Sequence, residues 1–180
     1  EALSLRALAR DIGVSHGAPA RHFKDKKSLL SALATEGYER FTAFISAAAE
    51  AAGVDPIARY NAMGRAVIRF ALTQPAYYTA FNHPDVIQQT DADLRKRHKE
   101  YLSIVQQAAT QAQAAGWHKG HDPLVLMTFS SAAATGAAQM FSDFHKSGLF
   151  DGKNIEELAE QVINLVVPAS TAALHNHLED

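Results

Sequence analysis

Apolar positions recur at three- and four-residue steps along nearly the whole chain, and no alternating strand-like run is bounded by turn signals. Leu5, Leu8, Ala9 and Ile12 share one face of a short helix that Ser4 can cap and Gly13 ends. Ser15 can cap a second short helix that ends near His22. Lys24 or Asp25 opens a long helix carrying Leu29, Leu30, Leu33, Phe41, Phe44, Ile45 and Ala48, which ends near Gly53. Asp55-Pro56 is a cap followed by proline at the first helical position, and the helix it starts carries Ile57, Tyr60, Met63, Val67 and Ala71 up to Gln74-Pro75. The stretch 75–90, with Pro75 and Pro84, reads as short and irregular. A long helix over about 91–115 turns Leu94, His98, Tyr101/Leu102, Val105, Ala109 and Ala112 inward, and Gly116 stops it. Asp122-Pro123 repeats the cap-plus-proline signal for a helix to about Lys146. Asn154, with Glu157 three residues on, has the spacing of a capping box for a last main helix that Pro168 ends. The expected fold is all-α: two short helices, then five or six long ones.

Composition narrows the function classes. The 180 residues, 47% hydrophobic, allow one large domain or a small and a medium one. Without cysteine there is no disulfide framework, thiolate metal site or cysteine nucleophile. No apolar run suggests a membrane span, and the opening Glu-Ala-Leu-Ser lacks the basic start and apolar stretch of a secretory signal. A cytoplasmic protein without membrane contact is therefore the expectation. The formal charge of −2 hides an asymmetry. Residues 1–30 hold six bases (Arg6, Arg10, Arg21, Lys24, Lys26, Lys27) against three acids (Glu1, Asp11, Asp25), a local +3. The remaining eleven bases and sixteen acids leave 31–180 at −5, so the basic start is electrostatically distinct from the rest.

That basic start has helix-turn-helix chemistry. Ala9 is small enough for two helices to cross, Gly13 tolerates a turn, and Val14 can plug the crossing. The second helix then offers Ser15, His16, Gly17, Arg21 and His22 to a major groove, with Lys24, Lys26 and Lys27 placed for phosphates. The same pattern alone would also fit a plain helical hairpin with a solvated basic face. Its continuation, Val14-Ser15-His16-Gly17-Ala18-Pro19 leading to Arg21-His22-Phe23-Lys24-Asp25-Lys26-Lys27-Ser28-Leu29-Leu30, closely resembles the tetracycline-repressor (TetR) family of bacterial regulators over residues 3–41.

The resemblance implies a homodimer that binds a double-stranded DNA operator and answers to a small-molecule effector. It implies a reading domain at 1–45, whose first helix is absent from this sequence, and a larger helical effector-binding and dimerisation domain at 46–180. The implied DNA-contacting residues are Ser4, Ser15, His16, Gly17, Arg21, His22, Lys24 and Lys26, with Phe23 as a packing anchor. Ala20 stands where the family usually has a phosphate-touching tyrosine, and Ala134-Thr135-Gly136 stands where one subset carries Trp-His-Gly. The implied effector pocket, between helices 56–74, 91–115 and 123–146, has Met63, Phe70, Tyr77, Phe81, His98, Tyr101, Trp117, Met127, Ser131 and Thr135 as candidates, although aromatics at helical spacing also serve as plain core. The implied effector is hydrophobic or aromatic. Small residues on the last two helices allow close approach, so Ala133, Ala137, Phe141, Leu158, Val162 and Leu165 are candidates for a four-helix dimer interface; intrachain packing is the other reading.

Against this stands a helical ligand- or metal-binding protein that has lost DNA binding, which Ala20 keeps open. His118-x-x-His121 is a close histidine pair beside Asp122, but spacing supplies no third ligand, so a solvated loop and no metal or cofactor is expected. No di-iron Glu-x-x-His pair, serine elbow or phosphate-cradling glycine loop argues for an enzyme.

Overall fold

A computed structural model describes residues 25–87, 91–144 and 148–170. These form seven α-helices, with no strand among the described residues. The expected DNA contacts Ser4, Ser15, His16, Gly17, Arg21, His22 and Lys24 lie outside the described residues, as does the side chain of Lys26.

Helix α1 (Lys26–Ala51) begins at Asp25, whose carboxylate accepts from Ser28 N at 2.7 Å while Ser28 Oγ accepts from Asp25 N at 3.2 Å. This reciprocal capping box fixes the helix start. At 26 residues α1 is about 39 Å long. Its inward face, Leu30, Ala34, Phe41, Ile45 and Ala49, belongs to one hydrophobic core cluster, so the chain continues unbroken through residue 45. Helix α2 (Pro56–Thr73) starts on the Asp55 cap, with Ile57 N donating at 2.9 Å, and lies at the centre of the molecule against α1 and most later helices.

The stretch expected to be irregular instead folds into two short helices, α3 (Pro75–Phe81) and α4 (Pro84–Ile87). Each starts at a proline, where the missing N–H goes unused by a helix. Burial of Tyr78, Ala80, Phe81 and Val86 holds them down. Gly37 of α1 explains how closely α3 approaches: a Cβ there would meet Phe81 Cδ1 at 3.1 Å and Tyr77 O at 3.3 Å.

Helix α5 (Ala92–Ala114) is capped by Asp91. It buries Leu94, Val105, Ala109 and Ala112 as expected, but Leu102 is exposed and Tyr101 takes the inward place. The turn after it uses positive φ at Gly116, Gly120 and His118, and it inserts Trp117 fully into the core. The Trp117 indole donates to Val166 O at 3.0 Å and its ring lies 5.2 Å from that of Tyr60. Helix α6 (Pro123–Phe144) starts on Asp122, which accepts from Leu124 N at 2.7 Å. Helix α7 (Ile155–Val166) is capped by Asn154, which accepts from Glu156 N and Glu157 N. The box expected there is one-sided, since the Glu157 carboxylate accepts from Gln161 Nε2. Buried Asn61 of α2 ties down the end of α7, donating to Val167 O at 2.6 Å and Asn164 Oδ1 at 2.8 Å.

The alanine-rich α6 corrects two sequence expectations. Over Pro123–Asp143 its mean hydropathy is 1.3, long and apolar enough by length and composition to cross a membrane, although the sequence suggested no such run. Only 33% of that window is buried within the chain. Ala137 and Phe141, candidates for a dimer face, point into the chain's own core, at 9% and 5% exposure. The outward stripe is Val125, Phe129, Ala132, Gly136 and Met140. Among the other candidates, Ala133, Leu158 and Val162 are half-buried, while Leu165 on α7 is 88% exposed.

Candidate functional site: a hydroxyl-lined cavity

Five helices converge on a small, partly open cavity. Its walls are Ile45 of α1, Tyr60, Met63, Gly64 and Val67 of α2, and Tyr101 and Val105 of α5. Ser130, Ser131, Ala134 and Thr135 of α6 and Ile163, Val166 and Val167 at the end of α7 close it. Its volume is about 30 Å³, room for one or two water molecules. Gly64 makes the α2–α7 wall possible, because a Cβ there would sit 3.1 Å from Ile163 Cγ2.

The polar groups of the cavity are hydroxyls. Tyr60 OH and Ser130 Oγ share a 2.6 Å hydrogen bond in which either can donate, and Ser130 Oγ also lies 2.8 Å from Leu126 O. Burial raises the pKa of Tyr60, partly offset by that hydrogen bond. Burial also holds Tyr101 far above the ordinary phenol range, reinforced by the neighbouring phenols of Tyr38, Tyr78 and Tyr60. The Tyr78 hydroxyl is buried beside the Thr135 hydroxyl but has no aligned hydrogen-bond partner.

Of the residues expected to line an effector pocket, Met63, Tyr101, Ser131 and Thr135 come together here. The others do not line this cavity. Phe70 and Phe81 pack with Phe41 in an aromatic core, with ring centroids 5.0 and 5.3 Å from that of Phe41. Tyr77 lies at the surface under the Arg40 guanidinium, its hydroxyl donating to Glu36 at 3.1 Å. His98 stacks on Tyr38 at 5.2 Å, and its partial desolvation lowers its pKa. Trp117 packs behind Tyr60, and Met127 is half-buried against the core. Among the lining residues that sequence reading missed are Ile45, Gly64, Val105, Ser130 and Ile163. Gly64 alone left a signal, as a glycine inside a helix costs about 1 kcal/mol against alanine and wants a packing reason.

Tyr101 also connects the cavity to α1. Its ring lies 5.1 Å from Phe41 and 6.1 Å from Tyr38. Arg97, one turn earlier on α5, pairs with Glu39 of α1 at 2.5 Å. Two other recesses adjoin. A 210 Å³ outer recess shares Met63 as a wall. A 690 Å³ groove between α1, α2 and α7 is crossed by the Arg65–Glu160 and Arg69–Glu156 pairs. The His118 and His121 rings are 5.7 Å apart, and among the described residues no three metal-ligating side chains cluster.

An all-helical domain with an internal cavity, walled in part by its long first described helix, has the architecture of a ligand-responsive regulator. A family profile described as "Tetracyclin repressor-like, C-terminal domain" matches residues 60–166, and the chain belongs to that family. Among solved structures, a Rhodococcus sp. RHA1 protein of unknown function is 30% identical over 91% of this chain and 82% of its own, with a TM-score of 0.71. A TetR/AcrR-family transcriptional regulator from Thermobifida fusca YX-ER1 is 26% identical over 91% of this chain and 84% of its own, at TM-score 0.54. AibR, solved with isovaleryl coenzyme A and operator DNA, shares the fold at 19% identity and TM-score 0.67, over 92% of this chain and 87% of its own. No curated protein matches.

Proposed function

We propose that this chain is a ligand-responsive transcriptional repressor that binds a palindromic operator as a homodimer in the cytoplasm and is released by a small, largely apolar effector. The observation that carries the reading is the path of α1. It starts inside the motif Phe23-Lys24-Asp25-Lys26-Lys27 and ends beyond Ile45, a wall of the cavity. Residues 1–45 form the reader and 46–180 the sensor and dimer partner in this account. An effector that binds one arrangement of α1 better than another shifts the population towards dimers whose recognition helices no longer match the groove spacing.

The exposed stripe Val125-Phe129-Ala132-Gly136-Met140, with Leu165, supports dimerisation through α6 and α7. A Cβ on Gly136 would meet nothing within 4 Å in its own chain, which leaves room for a second backbone to approach. Contiguous apolar surface of this kind marks an interaction face. In this reading Lys26 holds a backbone phosphate, while His16 and Arg21 reach base edges. Anisotropy titrations on the native upstream duplex and a scrambled one test those roles. Lys26→Ala weakens binding to both alike and lowers the salt slope by about 1, whereas Arg21→Ala narrows the difference between them. Unchanged titrations for both variants would refute the assignment.

A further inference from the structure

We propose that the small cavity, which opens beside Thr135, admits the uncharged, oxygen-bearing end of its ligand, such as an alcohol, phenol, ketone or lactone, and that Met63 is the wall that moves to make room for it. The inference rests on the reading above and adds the ligand class. None of the cavity-lining residues is Asp, Glu, Lys, Arg or His. An ionised group buried there would lose its water and find no counter-charge. The walls instead offer Tyr60, Tyr101, Ser131 and Thr135. The Tyr60 oxygen, hydrogen-bonded to Ser130, keeps capacity to accept a further hydrogen bond. Tyr78 supplies a buried hydroxyl without a partner beside Thr135. Buried polar groups are ordinarily paired, so a poorly satisfied hydroxyl pair behind the cavity wall leaves the Thr135 hydroxyl able to turn to a ligand atom. A neutral oxygen can accept from Thr135 and, if it carries hydrogen, donate to Tyr60. The raised pKa values of Tyr60, Tyr78 and Tyr101 keep all three phenols protonated.

Size decides where the cavity widens. At about 30 Å³ it is too small for a six-membered ring. The Gly64–Ile163 contact leaves no slack between α2 and α7. Met63 is unbranched and flexible, and it also borders the 210 Å³ outer recess. A change of its rotamer joins the two spaces without moving a helix.

Cyclohexanol, cyclohexanecarboxylate, cyclohexylamine and methylcyclohexane are suitable probes, with binding followed without DNA by the emission of Trp117, whose ring packs on Tyr60. Cyclohexanol should bind at least about tenfold tighter than either charged probe. Thr135→Val, of nearly equal volume, should cut the preference for cyclohexanol over methylcyclohexane roughly three- to tenfold. Met63→Ala should tighten both neutral probes. A charged probe that binds as well as cyclohexanol, an undiminished preference in Thr135→Val, or no neutral binding even to Met63→Ala would overturn the inference. Parallel DNA titrations separate it from the regulatory reading. Cyclohexanol binding as expected without any change in DNA affinity sinks the regulator and spares the ligand class, whereas a carboxylate that binds and releases DNA does the reverse.

Discussion

Desolvation raises the pKa of all five tyrosines of this chain, four of them in the interior and Tyr77 at the surface. Tyr38 is pushed up to about 12, Tyr60, Tyr77 and Tyr78 are raised, and Tyr101 lies higher still. Desolvation is the leading cause in each, because the phenolate loses more than the phenol when water is excluded. The sign follows directly. The folded state holds these protons after the unfolded chain has released them, so the stability they contribute is intact below pH 10 and drains away as the pH climbs past it. A spectrophotometric titration should show the four interior tyrosines still protonated at pH 10 in the folded protein, with surface Tyr77 alone ionising before a cooperative rise as the chain unfolds. Independent titration of those four near pH 10 would contradict the packing described. The chemistry of this site was legible by residue type: Met63, Tyr101, Ser131 and Thr135 were visible as candidates. Ile45, Val105 and Ile163 were not, because any inward apolar side chain can pack or border a void. Which it does depends on where helices cross, and Phe70 and Trp117 went to the core on the same grounds.

Long helices were legible because their ends are punctuated. Asp55-Pro56 and Asp122-Pro123 start helices where expected, and Gly53 and Gly116 follow their ends. Helices α3 and α4, of 7 and 4 residues, are too short to show a period, so they emerge only from their burial against α1. Helix α6 shows a different blind spot. Alanines at 132–134 and 137–138 blur which face is outward, and the phase chosen from sequence falls one position from the exposed stripe. The element that matters most for coupling is α1, whose first turn depends on the Asp25–Ser28 box. Asp25→Ala should cost about 1 kcal/mol. It should weaken DNA binding more than ligand binding, because fraying begins at the reader end. Denaturant midpoints paired with DNA and probe titrations check this, and equal losses in both would assign the cap a purely global role.

For the whole molecule, a basic reader of net charge +2 over residues 1–45 is joined to a sensor of −4 over 46–180 through one continuous helix. Operator binding also needs two copies, since a single recognition helix holds one half-site. Phe129→Asp together with Met140→Glu places two carboxylates on the exposed α6 stripe without touching the core, as Phe129 and Met140 are 56% and 50% exposed. Loss of such anchors should weaken dimerisation by roughly thirtyfold or more. Light scattering after size exclusion should then report a monomer with an intact helical spectrum and much poorer operator binding. A dimer that persists would move the interface elsewhere.

The central claim is that this chain reads DNA as a dimer. Its most direct test is a fluorescence anisotropy titration of the native upstream duplex over a salt series, with stoichiometry taken from native mass spectrometry of the complex. The account predicts two chains per half-site pair, and an affinity that exceeds that for a scrambled duplex by about a thousandfold. It also predicts an affinity that falls steeply between about 50 and 200 mM salt. No binding to any upstream duplex, or binding indifferent to salt, would contradict it.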